Sequence, residues 1–405
     1  MRTKRVVIMM VSICSILMFP LVPIYPQPPA PKTIKVGAIY DITGPIASMG
    51  ERFGWGLKKG VEAINKEGGV YVKEFAKKIP LQLVEADHAA IGDKAVLQAE
   101  YLNQQEVVSL IATTVFLPSG AAVTQKYGLP CFATLSNSKI PYELGYKFLF
   151  SNFPKVDDTA RAFITFLNSF PRDQRPTTIA LFEGMHDIGV ETAKHGEKEA
   201  IAKGYKVVHV KFEWFTKDLS AAILEAKRAG TDAVYSMMHT PVAMLLVKQM
   251  KELDYNPKAV FINMGPTNPI PWATLGKDGD YIYCNVEFLK GVEWPGAKEF
   301  IAMHLAERPK EGDYFEHAAH GYASTQVIAD AINRAGSLDR KKIRDALAAT
   351  DMMTIVGPTK FRADGTMEIP DATIVQYQDR VHTIVFPEKR KQKSAVYPMP
   401  KWKER

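Results

Sequence analysis

The sequence predicts an α/β protein of two lobes with parallel sheets. Three observations carry that expectation. Apolar runs of strand length alternate regularly with helical patterns along most of the chain. The first run, Ile34 to Tyr40, is nearly all apolar from Val36 to Ile39, as in a strand buried on both faces. The alternation breaks near Asn152-Phe153-Pro154 and restarts after the loop Pro171 to Pro176, which fits two lobes of ordinary domain size within 405 residues.

Taken in order, MRTKR followed by VVIMMVSICSILMFPLV has the layout of a secretory signal, so export to the periplasm or cell exterior is expected. An uncleaved anchor stays open, because no small-x-small site follows; QPPAPK, ending near Lys32, reads as a spacer. Bulky Ile13 before Cys14 argues against lipidation. Residues 1–32 carry four basic and no acidic side chains, so their removal takes the formal charge from +7 to +3. That mild charge argues against nucleic acid as a partner.

After Ile34 to Tyr40, Thr43-Gly44-Pro45 breaks the pattern, and Phe53, Leu57, Val61 and Ile64 recur at helical spacing until Gly68-Gly69 stops the helix. Ligands sit outside the carboxyl ends of such strands, so the working face is expected there. Gly54-Trp55-Gly56-Leu57-Lys58-Lys59-Gly60 resembles a dinucleotide fingerprint, yet its glycines lie inside the helical repeat rather than directly after the strand. Close packing of helix on sheet is the plainer role. An NAD-dependent enzyme built on this cluster is the rival reading, disfavoured by the signal segment and by the lack of an acid–base constellation.

Further strands are expected at Leu81 to Ala86, Val107 to Ala112, Leu129 to Thr134, Thr178 to Phe182, Lys206 to Phe212, Ala233 to Ser236 and Ala259 to Asn263. Helices fall between them at Ala95 to Gln105, Asp158 to Asn168, Glu191 to Lys203, Leu219 to Ala229 and Val242 to Leu253. Pro295 to Ala349 reads as mostly helical, and Thr354 to Phe361 and Thr373 to Phe386 as short strands with a turn at Asp364-Gly365. The basic cluster from Lys389 to Arg405 reads as a solvated tail. Cys131 and Cys284 form no metal motif; a disulfide and two buried thiols both stay open.

The sequence lacks a phosphate loop, HExxH, a CxxC pair and GxSxG, so no catalytic residue, metal or cofactor is assigned. His317 and His320 share a helical face whose neighbours favour packing over metal binding. His186-Asp187 suggests a proton couple, but Asp187 also stands where a helix cap is needed, and capping is the better reading. What remains is a set of loops after strands, Thr113 to Ser119, Leu135 to Ser138, Glu183 to Ile188, Met237 to Thr240 and Met264 to Asn268, rich in hydroxyl, amide, imidazole and sulfur groups. Such loops suit a small ligand held between two lobes.

IKVGAIYDITGPIASMG, VEAINKEGGV, PLQLVEAD, YGLPCFATLSNSKIPYELGYKFLFSNFP and HAAHGYASTQVIADAINRAGSLDRKKIRDAL, in that order, resemble the type I periplasmic binding proteins of branched-chain (hydrophobic) amino acid ABC transporters. The resemblance covers roughly Thr33 to Pro387. It implies two Rossmann-like lobes with parallel-rich sheets joined by three crossovers, near Asn152 to Lys155, Cys284 to Lys290 and Met353 to Phe361. The implied partition is residues 1–32 as signal and spacer, 33–152 plus 288–355 as lobe 1, 153–287 plus 356–387 as lobe 2, and 388–405 as a tail. It also implies a small-molecule ligand, a permease in the inner membrane as partner, and delivery without chemistry; a sensing receptor is the alternative.

Carried over position by position, the resemblance puts Phe116 and Leu117 in the loop that usually offers small hydroxyl residues. It places Asn137, with Ser136 and Ser138, at the carboxylate, and Ile188 where an aromatic residue is usual. His239 stands where a tyrosine is usual and Thr267 where an acid holds an α-ammonium; Met49 and Phe116 would add apolar walls. Without the acid, a buried ammonium would go unpaired at a cost of roughly several kcal/mol. A carboxylate or amide ligand lacking a free α-amino group is therefore expected to bind better than leucine.

Overall fold

The computed structural model describes residues 29–113, 116–368 and 372–405, with only the backbone described at 116–118. The first strands are β1 (Ile34–Tyr40), β2 (Val70–Val72), β3 (Lys77–Ile79), β4 (Leu81–Asp87), β5 (Ser109–Ala112), β6 (Cys131–Ala133) and β7 (Leu149–Phe150). Next come β8 (Thr178–Gly184), β9 (Lys206–Phe212), β10 (Ala233–Met238), β11 (Ala259–Met264) and β12 (Tyr283–Cys284). Last are β13 (Asp351–Thr354), β14 (Gly357–Lys360), β15 (Ile374–Gln378) and β16 (Val381–Phe386). The helices are α1 (Ala47–Lys66), α2 (Gly92–Gln104), α3 (Phe116–Tyr127), α4 (Ile140–Glu143), α5 (Val156–Asn168) and α6 (Asp187–Ala202). They continue with α7 (Ser220–Arg228), α8 (Thr240–Glu252), α9 (Pro269–Trp272), α10 (Ala297–Glu307), α11 (Glu316–Ala335) and α12 (Arg340–Ala348).

Two lobes follow from two sheets. The first is parallel throughout, in the order β4-β1-β5-β6-β7. The second runs β16-β15-β12-β11-β10-β8-β9, parallel from β9 to β12, with β15 and β16 added antiparallel. Each parallel part has its initial strand flanked by the next two in sequence, which opens a crevice at the strand ends where the winding reverses. The buried patterns of β5, β10 and β11 explain the continuous apolar runs that announced them: both faces are covered by helices.

Aromatic packing holds the second lobe, with Phe163 of α5 4.9 Å from Phe261 and 5.9 Å from Tyr235, ring centre to ring centre. Burying each such ring contributes roughly 1.5–3 kcal/mol. In the first lobe the glycine cluster packs helix on helix as much as helix on sheet. A side chain at Gly56 would strike the Ala318 carbonyl of α11 and one at Gly60 the Thr325 hydroxyl, while Gly54 faces the Tyr40 ring of β1. These close approaches account for the glycines without a nucleotide.

The chain passes from β7 to α5 through Ser151 to Lys155, and from β12 to Phe288, which packs with Phe300 and Phe315, through Asn285 to Glu287. The third passage differs from the expected Met353 to Phe361. Ile355 packs with Phe288 and Ala318, Phe361 lies against Phe132 and Phe150, and Ser151 N donates to Gly365 O, so this segment stays with the first lobe. Ala372 is the next described residue and already belongs to the second lobe's core. The terminal segment is also no free tail. Met399 and Trp402 are buried in the second lobe, Trp402 Nε1 donates to Tyr255 O at 3.1 Å, and Gln376 and Gln378 donate to Val396 O and Ser394 O. Its charge run hid those two anchors, although Lys389, Lys391, Lys393, Lys401 and Lys403 do remain exposed. Cys131 and Cys284 are buried free thiols in different sheets, which removes the disulfide alternative.

Candidate ligand-binding cleft

The carboxyl ends of the two sheets meet. Glu191, in the first turns of α6, accepts from Ser138 Oγ at 2.8 Å and from the Lys139 backbone N–H at 2.7 Å, joining the loop after β6 to the helix after β8. Beside this seam Lys155 is fully buried, with Nζ donating to Ser136 O at 2.5 Å and Ser151 Oγ at 2.8 Å above the Tyr142 ring. Burial pushes its ammonium down to about 7, against the pull of Asp158, Glu191 and Asp157. Asp158, itself buried, accepts from Lys155 N and pairs with Arg362 at 3.2 Å, so two passages share one carboxylate.

The expected carboxylate-binding trio therefore serves the seam in this structure. Ser136 is buried with its carbonyl on Lys155, Asn137 Nδ2 donates to Pro154 O at 3.0 Å and its carbonyl accepts from Val156 N, and Ser138 is held by Glu191. Met49 sits half-buried in the first turn of α1. Phe116 and Leu117 start α3, where a loop was expected; their side chains, like Thr114 and Val115 as a whole, lie outside the described residues.

On the second lobe, Ile188 is half-buried in the first turn of α6. His186, not Asp187, occupies the cap position, and no side chain caps that helix; Asp187 is exposed. Thr267 lies in the turn after β11 with its hydroxyl donating to Met264 O at 2.7 Å. His239 follows β10, and its Nε2 donates to Trp214 O at 2.9 Å; burial pushes its imidazole below the ordinary range, so the ring is neutral at pH 7.

Several residues at the strand ends had escaped the site assignment. Trp214 and Phe215 follow β9: the indole stacks on His186 at 5.0 Å, and His239 lies 5.7 Å from Trp214 and 5.0 Å from Phe215. Gly184 makes room for the indole, since a Cβ there would stand 2.6 Å from Trp214 Cε3. The signal was available in Trp214-Phe215 directly after a strand. On the first lobe, His320 of α11 shares a hydrogen bond of 3.0 Å between Nδ1 and Thr134 Oγ1 and meets Phe153 edge-on at 5.1 Å. Tyr314 lies 5.2 Å from His317. Burial pushes both imidazoles down to about 3, hence neutral. The Tyr314 hydroxyl, His317 Nδ1 and His320 Nε2 are buried atoms without a hydrogen-bond partner among the described residues. A separate surface depression of about 440 Å³, lined by Lys59, Phe300, Met303, Tyr322 and Ile355, shares no residue with these strand ends.

Two α/β lobes whose strand ends face each other across a hydrogen-bonded seam define a two-lobed solute-binding protein. The chain belongs to the periplasmic binding protein family, whose model matches residues 33–381. It is similar to the Leu/Ile/Val-binding protein homolog 7 of Brucella suis, 27% identical over 89% of this chain and 93% of the relative. Among solved structures it is similar to a leucine binding protein of Thermotoga maritima (TM-score 0.75, 20% identity, 87% of this chain and 97% of the other). A second is a fatty acid ABC transporter substrate-binding protein of Thermomonospora curvata (TM-score 0.75, 16% identity, 91% and 95%). At those identities the structures speak for the fold.

Proposed function

We propose that this chain is exported, encloses a small carboxylate or amide lacking a free α-amino group between its lobes, and delivers it to an inner-membrane ABC permease without chemistry of its own. The observation that carries the ligand reading is Thr267. The loops after β10 and β11 hold His239, Thr240, Gly265, Pro266, Thr267 and Asn268, with no carboxylate to balance an ammonium, and the Thr267 hydroxyl is occupied by Met264 O. The similarity to a leucine binding protein and to a fatty acid binding protein is consistent with one fold accepting acids with and without the amine. No helix among the described residues is long and apolar enough to cross a membrane. Leucine and its deaminated counterpart 4-methylpentanoate separate the readings in a thermal-shift assay. A ligand at 100 times its dissociation constant stabilises by about 2.7 kcal/mol, so 4-methylpentanoate should raise the melting temperature more than equimolar leucine. The reverse order would refute the assignment at Thr267.

A further inference from the structure

The rings beyond the carboxyl ends of β8, β9 and β10 are arranged unlike a core. His186 stacks flat on Trp214, His239 stands edge-on to it, and Phe215 tilts against His239 while keeping 77% of its surface exposed. A phenylalanine that leans on one ring of the cluster and is otherwise open exposes apolar π surface that nothing among the described residues covers. The cluster lies on the cleft side, because β9 neighbours β8 and the helix following β8 carries Glu191, which is bonded across to the first lobe.

A second observation comes from the first lobe. Tyr314 is 2% and His320 1% exposed, yet the phenol oxygen and Nε2 have no partner among the described residues, and His317 Nδ1 beside them is in the same state. A buried polar group without a partner is unfavourable, so a ligand that satisfied these atoms would gain by it. Taking the Thr134 hydroxyl as donor to Nδ1 places the proton of the neutral His320 ring on Nε2, where it can donate. Glu316, two residues beyond Tyr314, accepts from Glu287 N in the passage that leaves the carboxyl end of β12, and His320 meets Phe153 in the passage that leaves β7, so this stretch of the first lobe lies where the chain crosses to the second.

We propose that His186, Trp214, Phe215 and His239 seat a planar aromatic group, and that the ligand is an aromatic carboxylic acid whose polar end meets Tyr314, His317 and His320. The proposal rests on the reading that an acid without an amine is enclosed between the lobes. It adds the chemical class of the remainder. Aromatic faces prefer another π system to a saturated ring of equal size, and the neutral imidazoles and phenol donate to a carboxylate without contributing an opposing charge.

Calorimetry with phenylacetate, cyclohexylacetate, 4-methylpentanoate and leucine tests it. Phenylacetate should bind roughly three- to tenfold more tightly than cyclohexylacetate. Phe215→Ala removes an exposed ring, so the fold is not at stake; it should weaken phenylacetate more than cyclohexylacetate and so erase most of that preference. Tyr314→Phe deletes only the unpartnered hydroxyl and should weaken phenylacetate by about tenfold. Equal binding of the two ring acids, or an indifferent Phe215→Ala, would overturn the aromatic seat, and an indifferent Tyr314→Phe the polar end. Tight 4-methylpentanoate without phenylacetate would end this proposal alone; leucine preferred over all three acids would end both readings.

Discussion

Lys155 should make the stability of this protein rise with pH in a window where most proteins show little change. Its ammonium is buried between Ser136 O, Ser151 Oγ and the Tyr142 ring, and is displaced from 10.5 to about 7 by loss of solvent. At about 1.36 kcal/mol per tenfold, that displacement is on the order of 5 kcal/mol. Below about 7 the group is charged in both states and the full burial cost applies. From about 7 to 10.5 the native amine is neutral while the unfolded chain still binds a proton, so the unfolded state holds more protons and unfolding free energy climbs with pH. Above 10.5 both are neutral and the climb ends. Between pH 7 and 9.5 the gain is about 3 kcal/mol. Lys155→Met keeps the length and removes the titration, while stranding the Ser136 carbonyl at a cost of roughly 1–3 kcal/mol that does not vary with pH. Urea unfolding of both proteins at several pH values from 6 to 9.5 isolates the group, since every other titration is shared. The wild type should gain about 3 kcal/mol on the variant across that range; a constant difference would mean that Asp158 and Glu191 keep the ammonium charged and that the burial argument fails.

Glu191→Ala cuts two hydrogen bonds to a carboxylate at the seam between the lobes, so ligand affinity should fall by about 10- to 100-fold through a smaller closed population; titration calorimetry with phenylacetate or 4-methylpentanoate reads it. Trp402→Ala should cost about 3–5 kcal/mol in urea unfolding, and a loss below 1 kcal/mol would mean that the terminal segment does not brace the second lobe. Mass spectrometry of the exported protein should find a first residue between Ile24 and Thr33, and an intact Met1 on a cytoplasmic product would contradict export.

Much of the fold was legible where burial on both faces or a helical repeat left a pattern of several residues. Lys206–Phe212 forms as expected, and Ile34–Tyr40 likewise, because seven residues suffice to show their period. Two-residue strands have no period, so Leu149–Phe150 went unrecognised as a sheet member, although it closes the first sheet. The terminal segment was misread for a different reason: its charges outnumber Met399 and Trp402, and only tertiary contact reveals that those two side chains decide its place. At the site, His239 and Thr267 stand at the expected strand ends, whereas Asn137 and Ser138 are spent on Pro154 and Glu191, partners 17 and 53 residues away that no local pattern announces. Trp214 and His186 become a pair only when β8 and β9 align side by side.

Small-angle scattering of the full mature chain with and without saturating acid ligand tests most directly whether the lobes enclose it. A ligand shifts two states only as far as it prefers one of them, and a molecule held from both sides prefers the closed state. The radius of gyration should fall on adding whichever acid calorimetry shows to bind, and Glu191→Ala should blunt that fall. An unchanged radius under proven saturation would contradict capture between the lobes.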